Sequence, residues 1–306
     1  MTATSALRSS PNSQNDPPSS ARILDGKALA DTIKEKLKKE LEDHKRSTGE
    51  VPRLVNVMIG DNHSSCAYAN SQKKAADLIG IHYELITLPL KVSQKELIDW
   101  IKRLNQDPKV NGIMIHKPVP AQIDYRTIAN YVDPSKDLEG INVTNIGKMI
   151  LGETNIIPCT PAAVMEHIQS TGVALRGKEA VIVGHSEIVG KPLSLLLLEQ
   201  YLTVTICHIA TTEAGKLVEH VGRADVLVVA VGKAHLIKGE WIKKGAIVID
   251  VGINQVGDQI QGDVEFESAK KRAGYITPVP GGVGPVTVVM LMKNGIEAFK
   301  VQVKKE

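Results

Sequence analysis

Several features are scarce in this sequence, and each scarcity excludes a class of protein. The 306 residues include only three cysteines, Cys66, Cys159 and Cys207, which are far apart, odd in number and without metal-ligand spacing. A disulfide framework or a zinc site is therefore not expected, and a reducing compartment, the cytoplasm, fits. No apolar run reaches the roughly 18 residues that a membrane helix needs.

An excess of charge of one sign is also missing. Lysine and arginine number 37 against 34 acidic residues, which leaves a net charge of +3. This balance gives no general attraction to nucleic acid or to an anionic membrane, so we expect a small-molecule partner. The chain is long enough for two domains, each with its own core, and two domains make a cleft.

Residues 1–21 form a segment rich in serine, proline and asparagine with no apolar period. This composition predicts a disordered tail. The segment lacks the apolar centre of a secretory signal. Its single arginine, Arg8, gives little support to the alternative of an organelle transit peptide.

Helical and extended patterns alternate from Ile23 onward. The order is an amphipathic helix over 29–47, the strand LVNVMIG, the helix that contains Tyr68, the strand HYELITLPL, a helix capped by Ser93 and the strand GIMIHKPVP. This alternation predicts βαβ units and a parallel sheet, with ligands at the carboxyl ends of the strands. We assign residues 22–160 to this N-terminal domain, completed by a C-terminal helix over 287–306.

A second βαβ series follows the sequence PCTP at 158–161. Its strands EAVIVG and TVTICH are followed by ADVLVVAVG and GAIVIDVG, which are continuous apolar runs of the kind buried on both faces of a sheet. The pattern predicts a Rossmann-like, doubly wound parallel sheet over residues 161–286. The predicted fold class is therefore α/β, with two domains and a cleft between them.

The segment VIVGHSEIVGKP at 181–192 has the order strand, glycine turn, helix. Gly184 permits a tight turn and Gly190 a close approach, so that N–H groups at the helix start would hold a pyrophosphate. The spacing is not a strict G-x-G-x-x-G, and an ordinary strand-to-helix turn is the alternative. Gly232 and Gly252, which end the next apolar runs, favour a dinucleotide lying across the sheet.

Two further motifs each allow a functional and a structural interpretation. TPVPGGVGPVT at 277–287 combines glycine with proline, which predicts a fixed backbone path along a ligand or an elbow between domains. KDLEGINVTNIG at 136–147 offers Asp137 and Glu139, which would bind the amino groups of a heterocycle or simply be solvated.

Taken in order, the motifs resemble those of one family. They are Y-x-x-x-x-K-x-A-x-x-x-G-I, G-I-x-x-x-x-P-x-P, K-D-x-x-G-x-N-x-x-x-x-G, P-C-T-P, G-x-S-x-I-V-G-x-P, G-I-N and P-G-G-V-G-P-x-T. Together they resemble the methylenetetrahydrofolate dehydrogenase/methenyltetrahydrofolate cyclohydrolase family over Ile23 to Phe299. The resemblance implies a homodimer whose N-terminal domain binds a tetrahydrofolate derivative and whose C-terminal domain binds NAD(P).

The resemblance also implies two reaction steps. A hydride passes from the N5,N10 methylene bridge to the nicotinamide, and water then opens the resulting methenyl cation to 10-formyltetrahydrofolate. Catalytic roles fall to Tyr68, Gln72, His116 and Glu139, and no metal is implied. The implied substrate-binding residues are Tyr68, Ile115, His116, Lys117, Glu139, Pro280, Gly281, Gly282, Val283 and Gly284. The implied cofactor-binding residues are Gly184, His185, Ser186, Ile188, Ile209, Gly232, Ile253 and Thr287.

Three sites depart from the family pattern. Gln72 occupies the place of a lysine, His116-Lys117 that of Gln-Leu, and Glu139 that of an aspartate. An amide transfers no proton, and Lys73 is turned about 100° away along a helix. Because proton transfer contributes about 10² to 10⁴ in rate, we predict that the dehydrogenase step is kept and the cyclohydrolase step is weak or absent.

This prediction competes with several others. Histidine titrates at roughly pH 6.5, so His116 is a candidate substitute base, with Lys117 on the opposite face if the strand continues. Glu139 carries its carboxylate about 1.5 Å further out than aspartate, which leaves a modified pterin open. The same motifs also leave open a non-catalytic relative that binds folate or dinucleotide, and a Rossmann oxidoreductase for another substrate.

The cofactor preference depends on residues beside the phosphate turn. NADP-using members of the family often have arginine after its first glycine and serine after the Cys-His of the next strand, where this chain has His185 and Ile209. Both changes remove donors for a 2′-phosphate, and Glu187 adds a negative charge that would repel one. We therefore predict NAD as the favoured cofactor, with NADP as the alternative.

Overall fold

The computed structural model describes residues 20–303, apart from the side chains of residues 63 and 64. The predicted tail at 1–21 lies outside this range except for its last two residues. Ala21 is buried, and its N–H donates to the carbonyl of Lys270 at 2.8 Å. The ordered fold therefore begins at or before Ala21, slightly earlier than the composition suggested.

The first half of the chain forms a three-stranded parallel sheet in the order β3-β2-β4. Strand β1 precedes it. The elements are β1 (Arg22–Ile23), α1 (Gly26–Thr48), β2 (Arg53–Ile59), α2 (His63–Ile79), β3 (His82–Leu88), α3 (Gln94–Gln106), β4 (Gly112–Ile115), α4 (Tyr125–Tyr131) and α5 (Val143–Ile150).

Local sequence explains why α3 begins where it does. The Ser93 hydroxyl accepts from the Glu96 N–H at 3.2 Å, and the Glu96 carboxylate accepts from the Ser93 N–H at 2.8 Å. This reciprocal pair satisfies donors that a helix start leaves free. Leu97, Ile101 and Leu104 recur on one face and are buried in the core shared with β2 and β4. The predicted helix and its cap are confirmed.

The second half forms a six-stranded parallel sheet in the order β1-β11-β8-β7-β5-β6. Helices cover both of its faces, as predicted. The elements are α6 (Cys159–Ser170), β5 (Glu179–Val183), α7 (Gly190–Glu199), β6 (Thr203–Cys207), α8 (Ile209–Glu213), α9 (Leu217–Arg223), β7 (Val226–Val229), β8 (Ile247–Asp250), β9 (Asn254–Val256), β10 (Gln259–Gln261), α10 (Phe266–Ala269), β11 (Tyr275–Ile276) and α11 (Val283–Val303).

The strand order reverses beside β5. The chain continues from β5 to β6 on one side and then crosses back to β7 on the other. In open parallel sheets, such a reversal leaves a crevice at the carboxyl ends of the strands, where ligands bind. Gly184 and Ala230 follow β5 and β7 at that edge.

The chain passes between the two sheets more than once. Arg22 and Ile23, placed in the N-terminal domain by the sequence, pair with Tyr275 and Ile276 of the larger sheet. Helix α11 leaves that sheet and packs against α1, α2 and α6. It begins at Val283, so part of the glycine-proline motif lies in its first turn. None of the helices within the described part of the chain has the length and apolar character that a membrane crossing needs.

Candidate active site

Two joined cavities lie between the N-terminal sheet and the larger sheet. The inner cavity, about 170 Å³, is bounded by residues from α2, β4, α6 and α11 and by the loops that follow β4 and α4. The outer cavity, about 520 Å³, is bounded by the loop after β8 and by residues 278–285. Tyr68, Thr160 and Thr287 line both, so the two cavities form one continuous cleft.

The structure brings most of the predicted substrate residues to this cleft. Tyr68, His116, Lys117 and Glu139 line the inner cavity. The outer cavity is lined by Pro280, Gly281, Gly282, Val283 and Gly284 and by two predicted cofactor residues, Ile253 and Thr287. Ile188, also predicted to contact the cofactor, lines the inner cavity instead.

Lys117 enters the inner cavity beside His116. Because β4 ends at Ile115, the strand does not continue, so the condition for placing Lys117 on the opposite face is not met, and both residues line the cavity. The Lys117 Nζ atom lies 3.8 Å from the centroid of the Tyr125 ring. Burial lowers the pKa of Lys117, and the nearby Glu139 carboxylate opposes that change.

Asp137 organises the loop that presents Glu139. Its carboxylate accepts from the N–H groups of Glu139, Gly140 and Asn142 at 3.1, 3.0 and 2.9 Å. Gly140 has φ +68°, and a Cβ there would lie 2.5 Å from the carbonyl carbon of Ile157. Asp137 is only 4% exposed, so the solvated alternative for this motif is wrong for Asp137.

Glu139 is the most strongly perturbed acid that lines the inner cavity. The Tyr125 hydroxyl donates to its Oε2 at 2.5 Å, and the Ile115 N–H also donates to its carboxylate. Burial raises the pKa of Glu139 to about 7, with Tyr125 and Lys117 acting in the opposite direction. Ile115, predicted to bind substrate, thus reaches the site through its backbone. Near neutral pH, Glu139 exchanges between its charged and neutral forms.

Gln72 is fully buried behind the cavity wall. Its Oε1 accepts from Asn56 Nδ2 and from the Tyr83 hydroxyl, both at 2.8 Å, and its Nε2 lies 3.4 Å from the Met114 sulfur. These bonds hold the amide in the protein interior. The predicted catalytic position is therefore occupied by a residue that supports the wall.

His116 belongs to the same buried network. Its Nδ1 lies 3.3 Å from the amide nitrogen of Asn56, and its ring packs edge-on against Tyr68 with 5.6 Å between centroids. The two hydrogens of the Asn56 amide point to closer acceptors, Gln72 Oε1 at 2.8 Å and the Tyr83 hydroxyl at 2.7 Å, so this contact does not determine which ring nitrogen of His116 carries the proton. Burial lowers the pKa of His116, which favours the neutral ring. His116 is thus a hydrogen-bond donor in the neutral state.

Several site residues were missed from the sequence. Asn56 carried a signal, because it is a polar residue inside the apolar strand LVNVMIG and a buried amide needs partners. Tyr125 and Tyr83 carried none, since their partners come from distant parts of the chain. Cys159, in the PCTP motif, lines the inner cavity, and its thiol donates to the Leu138 carbonyl at 3.3 Å. Burial raises its pKa well above the usual value.

A third cavity, the nucleotide cavity, lies at the carboxyl ends of β5, β6 and β7. It has a volume of about 520 Å³, and the predicted residues Gly184, His185, Ser186 and Ile209 line it together with His208, Lys191 and Lys233. Gly232 itself does not line this cavity, although the residues on either side of it do. Its N–H donates to Asp263 at 3.0 Å. Among residues 20–303, no group of three or more His, Cys, Asp or Glu side chains is arranged to hold a metal ion.

The phosphate turn is shaped by close backbone contacts. Gly184 has φ +122°, and a Cβ there would lie 2.3 Å from the Ala230 carbonyl oxygen. A Cβ on Gly190 would lie 2.0 Å from the carbonyl oxygen of Gly184. Both glycines therefore have the roles inferred from the sequence, a tight turn and a close approach.

Glu187 is flanked by cationic side chains. It forms an ion pair with Arg126 of α4, and its carboxylate lies 4.0 Å from Lys191. These cations offset its charge at the nucleotide cavity. The repulsion of a 2′-phosphate that the sequence suggested is consequently weakened.

The fold and the three cavities define a two-domain α/β protein with a dinucleotide-binding sheet beside a second ligand cleft. Two family models match the chain. The catalytic domain of tetrahydrofolate dehydrogenase/cyclohydrolase matches residues 24–139, and the NAD(P)-binding domain of the same enzymes matches residues 158–303. The chain belongs to the tetrahydrofolate dehydrogenase/cyclohydrolase family.

Individual relatives agree with this assignment. The bifunctional protein FolD of Acetivibrio thermocellus is 48% identical over 93% of this chain and 99% of its own length. The crystal structure of the bifunctional FolD dehydrogenase/cyclohydrolase from Campylobacter jejuni has a TM-score of 0.88 and 40% identity, covering 92% of this chain and 99% of that one. The dehydrogenase-cyclohydrolase of Trypanosoma brucei, complexed with NADP and an inhibitor, has a TM-score of 0.88 and 38% identity, covering 93% and 99%.

Proposed function

We propose that this protein oxidises 5,10-methylenetetrahydrofolate to 5,10-methenyltetrahydrofolate with NAD(P) as the hydride acceptor. The observation that carries the proposal is the continuity of the cleft. The inner cavity, with its side chains suited to a heterocycle, opens past Tyr68 and Thr287 into the outer cavity beside the dinucleotide-binding sheet. This arrangement would hold a pterin and a nicotinamide on adjacent surfaces.

The side chains of the inner cavity suit the pterin part of the substrate. Tyr68, 37% exposed, offers an aromatic face for stacking. The Glu139 carboxylate accepts from amino and amide N–H groups, while Lys117 and the N–H of the neutral His116 ring are donors for a ring carbonyl. Because hydride transfer depends mainly on the distance and orientation of two rings, these contacts are sufficient for the oxidation.

The phosphate turn fits the pyrophosphate of a dinucleotide. The contacts of Gly184 and Gly190 leave no room for a side chain at the start of α7, which keeps the turn compact beside the nucleotide cavity. The bound nicotinamide supplies the carbon that accepts the hydride. The protein holds the cofactor, excludes water and orients the substrate.

The proposed cofactor preference is NAD. His185 and Ile209 line the nucleotide cavity without the guanidinium and hydroxyl donors that suit a 2′-phosphate. Lys191 and Lys233 in the same cavity favour a phosphate, and Arg126 offsets Glu187. The preference therefore rests on His185 and Ile209, and we expect a higher kcat/KM with NAD than with NADP.

We also propose that the cyclohydrolase step is weaker than in relatives with a lysine at the position of Gln72. Gln72 has no proton to exchange, and its amide is bonded to Asn56 and Tyr83. The family resemblance and the scarcity of cysteine further support a homodimer that works in the cytoplasm. Analytical ultracentrifugation tests the dimer directly.

An anaerobic spectrophotometric assay tests the activity. The protein is mixed with 5,10-methylenetetrahydrofolate and NAD or NADP, and reduced nicotinamide and methenyl product are followed together. We expect both to appear, faster with NAD, and the methenyl product to accumulate. Folate or dinucleotide binding without any reduction would instead indicate a non-catalytic member of the family.

A further inference from the structure

We propose that Lys117 is the catalytic residue of methenyl hydrolysis in this protein, taking the proton of the attacking water in place of the lysine that is absent at Gln72. The inference rests on the proposed function, because the methenyl cation is the product of that oxidation. It relocates the proton carrier from helix α2 to the corner that follows β4. We attribute the predicted slow hydrolysis to this different position of the amine.

Lys117 is the only amine among the described residues that line the inner cavity. Its Nζ atom is fixed over the Tyr125 ring at 3.8 Å, and Tyr125 in turn donates to Glu139 at 2.5 Å. The amine is therefore held at the wall of the cavity that Tyr68 also lines. An amine on a flexible surface stem would have no such fixed position.

Other groups in or near the cavity are poorly suited to take this proton. Burial lowers the pKa of His116, which makes its ring a weaker proton acceptor, and its Nδ1 faces the Asn56 amide. Burial raises the pKa of Tyr68 and of Cys159, so both keep their protons. Glu139 also exchanges a proton near neutral pH, but its carboxylate is held by the Tyr125 hydroxyl and the Ile115 backbone and acts on Lys117 through its charge.

Lys73, the lysine next to Gln72, does not take its place. Its side chain is 55% exposed and lies 3.3 Å from Asp77 on the outer face of α2. The helix turns successive side chains about 100° apart, which explains why Gln72 is buried while Lys73 is in solvent. Lys73 is thus a matched control for Lys117.

The hydrolytic step balances with Lys117 as a neutral amine. A water oxygen bonds to the methenyl carbon while its proton passes to Nζ, giving a neutral carbinol and a lysine ammonium. The ammonium then protonates N5 as the bond from carbon to N5 breaks. The carbinol hydroxyl loses its proton to solvent and becomes the formyl carbonyl on N10. One cation and one water thus give 10-formyltetrahydrofolate and one released proton.

Groups from several elements surround the Lys117 amine and influence its pKa. Burial lowers its pKa, and the Glu139 carboxylate opposes this. The Tyr125 ring from α4 stabilises the ammonium, while Tyr68 on α2, Cys159 on α6 and the adjacent His116 are uncharged neighbours at neutral pH. Hydrolysis should therefore increase with pH as the amine loses its proton.

The experiment uses the full-length protein and three variants, Lys117→Met, Lys117→Arg and the control Lys73→Met. Each is assayed for decay of added 5,10-methenyltetrahydrofolate above the buffer rate, across a range of pH, and separately for nicotinamide reduction. Thermal unfolding checks that each variant is folded. Arginine keeps the charge but stays protonated, so it separates proton transfer from electrostatic binding.

We expect both Lys117 variants to lose hydrolysis by about 10²-fold or more, while Lys73→Met retains it. The dependence of hydrolysis on pH should disappear with Lys117. Retained hydrolysis in Lys117→Arg or in Lys117→Met would overturn the inference, and so would a native protein without hydrolysis above buffer. Absence of nicotinamide reduction in the native protein would instead refute the proposed function.

Discussion

The two ligand-binding regions of the molecule, a folate half at the inner cavity and a dinucleotide half at the nucleotide cavity, are shaped by different parts of the chain. In the dinucleotide half, backbone atoms determine the shape. The backbones of Gly184 and Gly190 pack so closely that a Cβ on Gly190 would overlap the Gly184 carbonyl oxygen. In the folate half, the shape comes from side chains that α2, the β4 corner, the Glu139 loop and α6 contribute separately. The backbone half tolerates little change, whereas the side-chain half can exchange one chemical group for another without altering the fold.

Among the substitutions considered, replacement of Gly190 should cause the largest loss of stability and activity. The Cβ of Gly190→Ala would meet the Gly184 carbonyl oxygen at 2.0 Å, so the start of α7 must shift. We expect a loss of about 3 kcal/mol in the free energy of unfolding and of about 10²-fold in dehydrogenase kcat/KM. Chemical denaturation and the nicotinamide assay measure the two losses.

Gly147→Ala provides the matched control for that substitution. Gly147 lies in α5, and a Cβ there would have no neighbouring atom within 4 Å. Alanine there should be neutral or stabilise the protein by up to about 1 kcal/mol. Equal losses in both variants would contradict the idea that the backbone contact limits the dinucleotide half.

The pH dependence of stability provides a second comparison between the two halves. Burial raises the pKa of one carboxyl group in each half to about 7, namely that of Glu139 and that of Asp250. The pKa of Glu139 is about 7 in the folded state and about 4.5 in the unfolded state. The protonated carboxyl therefore contributes fully to stability below about pH 4.5, and this contribution is lost as the pH rises through about 7. Glu139→Gln should therefore remove a decline on the order of 3 kcal/mol between about pH 4.5 and 8, leaving the parts due to Asp250 and Asp137, whose pKa values burial also raises. Urea denaturation at several pH values measures the slope. An unchanged slope would show that Glu139 titrates normally.

Restoration of the family lysine should have a smaller, positive effect. Gln72→Lys places an amine one helical turn from Tyr68 on α2, so we expect hydrolysis of methenyltetrahydrofolate to increase about tenfold. Stability should fall, since lysine cannot accept the hydrogen bonds that Asn56 and Tyr83 give to Gln72. The decay assay measures the gain, and the same substitution in Lys117→Met should rescue hydrolysis. No gain in either background would show that proton transfer is not the limitation.

His116→Gln should have the smallest effect. The glutamine amide supplies an N–H donor like that of the neutral His116 ring, so nicotinamide reduction should stay within about threefold of the native rate. His116→Ala, which removes the donor, should raise KM more than it lowers kcat. If His116→Gln abolishes hydrolysis as completely as Lys117→Met, the histidine itself transfers the proton.

The backbone half of the site was largely predictable from the sequence. The apolar runs of β7 and β8 and the glycines of the phosphate turn depend on local preferences that a linear sequence shows directly, as does the Ser93 cap in the other half. The position of Lys117 was not predictable, because it depends on where β4 ends, one residue before His116. A single further residue of strand would have turned the lysine away from the cavity.

The partners of Glu139 and Gln72 were hidden for a different reason. Tyr125, Asn56 and Tyr83 come from separate elements, and only the folded chain brings their polar atoms together. The sequence identified which positions had changed relative to the family pattern. It did not show that Gln72 had become part of the interior while an amine from another element had entered the cavity.

The crossings between the two sheets have a mechanical consequence. A Cβ on Gly26, at the start of α1, would lie 1.7 Å from the carbonyl oxygen of Gly282, and the Gly26 N–H donates to the Gly281 carbonyl at 2.9 Å. The two segments in which the chain crosses between the sheets, at Gly26 and at Gly281–Gly282, are therefore hydrogen-bonded and closely packed against each other beside the outer cavity. We expect them to act as a common hinge, about which one domain rotates to widen or narrow the cleft for exchange of folate and dinucleotide. Spectroscopic distance measurements across the cleft would detect this rotation.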